Sequence, residues 1–275
     1  LAIKLSSEFG VQIKTSEVMK SPTVREIAKI ISSAAEAENI KVDYTLREYY
    51  PITENQRGLY IDWEKNRETT QYNVPALYKL PSDTDAEKLV AALKASINAH
   101  GYLKTTFAII DEDIVQLRRD NDEAKVLFTV LDTEPAEEYL RAKVRPFNLL
   151  GGELYRIEVI QSPTALWLFI DIHHTIYDGL SVGILMNALT QAYNGQTPET
   201  EQYTAFENAL YEEAVTKTEH YKEAERYFDT LLEGAESTRY PVSGKPDDVP
   251  EKSAFAEYTI DSTRIDSFCR KEGIT

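Results

Sequence analysis

"ALWLFIDIHHTIYDGLSVGILMNALTQAYNG", residues 165–195, is the stretch on which the fold turns. Its first ten residues are almost unbrokenly apolar and read as a strand; the rest reads as a helix. In a strand, alternate side chains face opposite ways. Trp167, Phe169, Asp171 and His173 therefore share one face, and Leu168, Ile170, Ile172 and His174 the other. From Gly179 onward, Val182, Leu185, Met186, Leu189 and Tyr193 recur at helical spacing, and Gly195 closes the helix. Just upstream, "ELYRIEVIQ" (153–161) is a second strand, and "SPT" (162–164) joins the two as a hairpin.

Four histidines occur in 275 residues, and two of them are adjacent at the strand-to-helix junction. Facing opposite ways, they cannot do the same job: one projects into a cleft, and the other packs as a hydrogen-bonded neighbour. Gly179 opens the helix, whose first amides have no partner within it. A histidine beside free backbone donors suits acyl transfer. The imidazole takes a proton from a nucleophile, and the amides stabilise a developing oxyanion. Asp178 is placed to cap the helix or to hold a cation. Of the other two histidines, His100 reads as structural. His220 sits on the polar side of an amphipathic helix and reads as exposed.

Outward from this junction the pattern is mixed α/β. "YYPITENQRG" holds a capping box, Thr53 to Gln56, that opens a helix to about Lys65. "NVPALYKL" (73–80) is a strand, and "TDAEKLVAALKASINAHG" is an amphipathic helix ended by Gly101. Three β-like runs follow: "LKTTFAII", "DIVQLRR" and "KVLFTVL". "PAEEYLRAKVRPF" is helical up to Pro146. After the central hairpin and helix come two helices, "YTAFENALYEEAV" and "EHYKEAERYFDTLLEG", then a late strand, "SAFAEYTI" (253–260). Residues 1–33 form a small helical unit. "LAIKLSSEFG" is stopped by Gly10, and a second capping box, Thr23 to Glu26, leads a core-facing stripe of Val24, Ile27, Ala28 and Ile31. Residues 34–48 lack a clean period and read as a linker.

The bulk properties narrow the partners. A net charge of −16 repels phosphates, so nucleic acid and anionic membranes are disfavoured. No apolar run approaches the roughly 20 residues that a membrane span needs. The single cysteine, Cys269, rules out an internal disulfide and a cysteine-based metal cluster. A cytoplasmic location is expected. The length suits two or three domains, and both ends read as cut from something longer.

"HHTIYDG" (173–179) fits the HHxxxDG signature of the condensation domains of nonribosomal peptide synthetases, relatives of chloramphenicol acetyltransferase. "YPITENQRGLY" resembles that family's opening segment. "PFNLLGGELYRIEVI" resembles its F-x-L-x-x-G-x-L-x-R run, through Phe147, Leu149, Gly152, Leu154 and Arg156. "YTAFENAL" resembles a later helix, with Ala205 where Asp is usual. "AHGYLKTTF" matches RHExLRTxF at His100, Leu103, Thr105 and Phe107. It departs at Ala99, Gly101 and Lys104, which puts the local polar network in doubt. Residues 1–33 resemble the second half of a peptidyl carrier domain whose phosphopantetheine-bearing serine would lie just upstream of Leu1.

The resemblance implies an α/β (α+β) fold: the N-terminal lobe of a condensation domain and the start of its second lobe over residues 49–275, after a partial carrier (1–33) and a linker (34–48). It implies peptide-bond formation between two carrier-bound thioesters. His174 would be the general base or amine-positioning group, and the Gly179 amide an oxyanion donor. His173 and Asp178 would be structural members of the motif, with Asp178 tied to a basic partner. The only cofactor implied is 4'-phosphopantetheine on carriers, with no metal. Partners would be donor and acceptor carrier domains and neighbouring adenylation domains. Two alternatives share the fold: a non-catalytic recruitment domain, and an epimerase of a carrier-bound residue.

Overall fold

The hairpin forms where the apolar periodicity places it. β6 (Tyr155–Gln161) and β7 (Leu166–His173) pair antiparallel, closed by the Ser162 amide on the Ala165 carbonyl at 2.9 Å. β2 (Asn73–Leu80) lies antiparallel on the far side of β7, and β5 (Leu127–Val130) runs parallel to β6. The sheet order is β2-β7-β6-β5. Every residue of β7 except Trp167 is buried. Covering both faces accounts for a continuous apolar run in place of alternation. Leu168, Ile170 and Ile172 join one core with Leu89 and Leu93 of α5 (Ala86–Ala99) and Leu185 and Leu189 of α7 (Gly179–Tyr193). Burying each such side chain contributes about 1.5–3 kcal/mol.

A second, antiparallel sheet has the order β1-β4-β3, from β1 (Tyr49–Pro51), β3 (Thr106–Ile110) and β4 (Asp113–Leu117). Asp111 and Glu112 join β3 to β4 with φ of 51° and 71°, the left-handed pair that a tight type I′ turn requires. α4 (Glu54–Lys65) starts at the Thr53–Gln56 capping box, with both reciprocal hydrogen bonds present. Gly152 is required by space: a Cβ there would lie 2.3 Å from the Asn148 carbonyl oxygen.

The computed structural model describes residues 1–11, 13–20, 23–33, 40, 42–235, 258–259 and 262–274. The chain divides into two units, Leu1–Arg226 and Tyr227–Thr275. In the first, α1 (Ala2–Phe9) ends at Gly10, whose φ of 64° is the left-handed cap that glycine permits. α2 (Thr15–Lys20) and α3 (Val24–Ser33) follow; the Thr23 hydroxyl accepts the Glu26 amide at 3.3 Å and donates to the Glu26 carboxylate at 2.7 Å, one half of the expected box. The apolar stripe of α3 is not core: Val24 is 85% exposed, Ala28 is exposed, and Ile27 and Ile31 are only half-buried. Helical periodicity makes a face but does not supply the partner that covers it. α6 (Glu137–Arg141) is shorter than the helix expected up to Pro146 and stops well before that proline. α5 ends at Ala99, and Gly101 opens a 3-10 turn, Gly101–Lys104. α8 (Ala205–Val215), α9 (Glu219–Leu232) and, in the second unit, α10 (Ser262–Glu272) complete the described helices. The strand expected over 253–260 lies outside the described residues except for Tyr258 and Thr259, which are not in a strand.

Candidate active site

β7 ends on His173, and the turn beyond it carries His174. The two imidazoles part as strand alternation requires: His173 is 2% exposed, and His174 is exposed. The His173 Nδ1 accepts the Thr175 amide at 3.2 Å and lies 2.9 Å from the Thr175 hydroxyl. A ring nitrogen that accepts from an amide carries no proton, so the proton sits on Nε2. Burial, first of all, and the neighbouring His174 and Arg156 hold the His173 pKa down at about 4. The residue is therefore neutral and buried at neutral pH.

His174 has an exposed side chain on a hydrogen-bonded backbone. Its amide donates to the Tyr72 carbonyl at 2.8 Å, so the peptide before it is pinned to the segment leading into β2. The peptide after it is pinned by the Thr175 amide on His173. The imidazole itself makes no hydrogen bond among the described residues. It is left to meet whatever approaches from solvent.

Asp178 is the N-cap of α7. Its carboxylate accepts the Ser181 amide at 2.8 Å and the Ser181 hydroxyl at 2.7 Å. Those bonds, the hydroxyl's foremost, hold its pKa below the usual carboxylate range. It is exposed, and no basic side chain pairs with it among the described residues. The resemblance places the basic partner expected for it beyond Thr275, and within the described residues the helix terminus supplies the positive end. Asp178 also takes up donors expected to be free, since its carboxylate engages the amides of Leu180 and Ser181. The Gly179 amide is left without a partner among the described residues. A Cβ at Gly179 would meet no atom within 4 Å, so the protein itself does not demand glycine there.

The buried ion pair of the site is one that sequence reasoning missed. Asp171 is fully buried, and its Oδ2 accepts from Arg156 and from the Asn73 amide, both at 2.9 Å. Arg156 also donates to the carbonyls of Arg145 and Pro146, each at 2.7 Å, and stacks 3.7 Å above the Phe147 ring. Phe147 in turn presents its ring to His173, with centroids 5.8 Å apart. Burial pushes the Asp171 pKa up, against the pull of Asn73 and Arg156. The signal was present in the sequence: Asp171 shares the His173 face, and Arg156 belongs to the motif run. Their pairing follows from the β6–β7 register, which sets Arg156 opposite Asp171.

The other predicted positions fall apart from this cluster. His100 is buried with Nδ1 3.2 Å from a Glu201 carboxylate oxygen, and His220 is exposed on α9. Lys104, at a family arginine position, is buried. It donates to Asn98 at 3.2 Å and to the carbonyls of Asp120 and Asp122. Among the described residues no group of three or more His, Cys, Asp or Glu is arranged to hold a metal ion, and no helix is long and apolar enough to cross a membrane. Two concavities of about 600 and 800 Å³ lie around Arg47 and Glu212 and around Lys143 and Arg156, and His174 lines neither.

A family model described as "Condensation domain" matches residues 46–266. Surfactin synthase subunit 1 of Bacillus subtilis (strain 168) is 29% identical over 260 residues, 94% of this chain and 7% of that protein. Bacitracin synthase 3 of Bacillus licheniformis is 28% identical over 288 residues, 100% of this chain and 4% of that protein. Among solved structures, the X-domain in its complex with OxyB from teicoplanin biosynthesis superposes with a TM-score of 0.65 at 20% identity, covering 76% of this chain and 49% of that one. The starter condensation domain of rhizomide synthetase RzmA gives 0.60 at 16%, covering 69% and 49%. The chain thus spans under a tenth of these curated relatives and about half of the solved chains.

Proposed function

The chain belongs to the condensation-domain family, and from that premise we propose that it forms peptide bonds between two acyl groups delivered as thioesters on 4'-phosphopantetheine arms. The acceptor amine attacks the donor carbonyl, a C–N bond forms, and the C–S bond breaks. His174 takes or orients the amine proton, and the departing thiolate ends protonated. The Gly179 amide, left free at the start of α7, stabilises the oxyanion. The open space at Gly179 is where the donor thioester passes. Asp178 and His173 hold the turn without touching substrate. Residues 1–33 are read as the end of a carrier domain, and donor and acceptor carriers with their adenylation domains are the partners. The alignment with bacitracin synthase 3 over the whole chain supports that organisation.

The observation that carries this reading is the contrast at the histidine pair: a neutral, buried His173 beside an exposed His174 whose flanking peptides are pinned. The test is a condensation assay with loaded carriers on the full-length synthetase. His174→Ala is expected to abolish peptide-bond formation while leaving the fold intact. A near wild-type rate in that variant would remove His174 from the chemistry.

A recruitment domain is the second reading, favoured by the structural likeness to an X-domain solved with its partner OxyB. The product discriminates: a peptide bond supports condensation, an inverted stereocentre supports epimerisation, and no product supports recruitment.

A further inference from the structure

We infer that Gln56 is a positioning residue for His174, acting from the start of α4 through the carbonyl of Thr175. The inference rests on the proposed role of His174 and adds a residue to it.

Gln56 is 6% exposed, and its amide is fully bonded. Its Oε1 accepts the Thr53 amide at 3.0 Å, as the capping box requires. That acceptor fixes the orientation of the amide group, because an Nε2 in the same place would set a donor against a donor. Nε2 therefore points inward. It donates to the Tyr102 hydroxyl at 2.7 Å and to the Thr175 carbonyl at 3.1 Å. The Tyr102 hydroxyl donates to the Gln116 Oε1 at 2.7 Å, and the Gln116 Nε2 donates to the Pro51 carbonyl at 2.7 Å. The chain of bonds begins and ends on backbone groups, so its direction has a single solution. Burial raises the Tyr102 pKa strongly, so the phenol remains a donor throughout the working range.

This network ties the β1-β4-β3 sheet and α4 to the turn that follows β7. Three consecutive peptides of that turn are then held. The first is anchored by the His174 amide on Tyr72, and the second by the Thr175 amide on His173. The third is held by the Thr175 carbonyl on Gln56 and by the Ile176 amide on the His173 carbonyl at 3.1 Å. Only the Gln56 bond comes from outside the β2–β7 neighbourhood. Without it the Thr175 carbonyl, in a residue that is 7% exposed, loses a buried donor, and the peptide after Thr175 keeps only the Ile176 amide on the His173 carbonyl. The site needs this because His174 has no side-chain partner to orient it, so its aim depends on its backbone.

The test uses Gln56→Met, which keeps an unbranched side chain of similar length and removes the donor together with the Oε1 that accepts the Thr53 amide, and Tyr102→Phe, which removes one link of the network and leaves that capping bond in place. Hydrogen exchange of the His174 and Thr175 amides is followed beside condensation kinetics in the full-length synthetase. Both variants are expected to speed exchange at these two amides, Gln56→Met the more. kcat should fall by about tenfold to a hundredfold in Gln56→Met, with KM for the carriers unchanged. Unchanged exchange at His174 and Thr175 in both variants would overturn the positioning role, as would faster exchange with an undiminished kcat. Should Gln56→Met fail to fold, the same criteria apply to Tyr102→Phe. An active His174→Ala enzyme is a different failure: it removes the role of His174 and leaves the exchange result standing.

Discussion

Asp171 and Asp178 lie on either side of the histidine pair and carry the same functional group into opposite surroundings. Asp171, two residues before His173 in the inner strand β7, has no solvent exposure, and its pKa is raised by burial. Asp178, at the helix start, is exposed, and its pKa is lowered by the Ser181 hydroxyl and amide. One is held by a guanidinium, the other by a helix terminus. The motif letter singles out the second, whereas the buried charge belongs to the first. What a carboxylate costs or contributes follows from its solvation and not from its place in a signature.

The largest expected effect lies at the buried member. Asp171→Ala leaves Arg156 inside the protein without its counter-charge and should cost about 3 kcal/mol in chemical denaturation. Arg156 keeps its two backbone carbonyls, so the loss sits at the lower end for a broken buried pair. An Asp171→Ala chain as stable as the parent would dissolve the contrast between the two carboxylates.

Next comes His173, which shares a face with Asp171. Its folded pKa of about 4 lies below the unfolded value, so the unfolded chain gains a proton that the folded one refuses. Stability should therefore fall as pH drops from about 6.5 to about 4, by about 3 kcal/mol from this residue. Denaturation of the parent and of His173→Leu across that window isolates the effect, because the variant lacks this slope. Equal slopes would mean that His173 is protonated within the fold.

Asp178→Ala should cost about 1 kcal/mol at neutral pH, the worth of an exposed cap. With a lowered folded pKa, that contribution is present above the unfolded value of about 3.9 and disappears as pH falls through the folded one. Asp171 runs the other way. Its raised pKa favours the protonated form in the fold, so its ionisation weighs against stability as pH rises through the folded value. Asp178→Asn should retain most of the cap. Thermal melts of both variants at pH 7 give the comparison, and an Asp178→Asn variant no more stable than Asp178→Ala would contradict the capping assignment.

The smallest effect is at Gly179. A methyl group there meets nothing within 4 Å, so Gly179→Ala should gain about 0.5 kcal/mol from helix propensity. A clear loss of stability would show that the start of α7 is more crowded than the described residues make it.

Much of this protein was legible in its sequence because the signals were local. Strand alternation alone separated His173 from His174. The capping box at Thr53–Gln56, the Thr23 cap and the helical spacing behind Gly179 depend on residues a few positions apart, and the backbone satisfies them wherever they fall. The chain therefore determined by itself the hairpin, the helix that follows it and the turn that carries the histidines. Tertiary structure decided the rest, because it sets which groups lose water and which distant groups meet. The Arg156–Asp171 pair required a strand register, the Gln56–Thr175 bond spans 119 residues, and the stripe on α3 remained uncovered because periodicity cannot specify what packs on it. Burial depends on the whole fold, and it is burial that left His173 neutral, raised Asp171 and gave the polar side chain of Gln56 its reach.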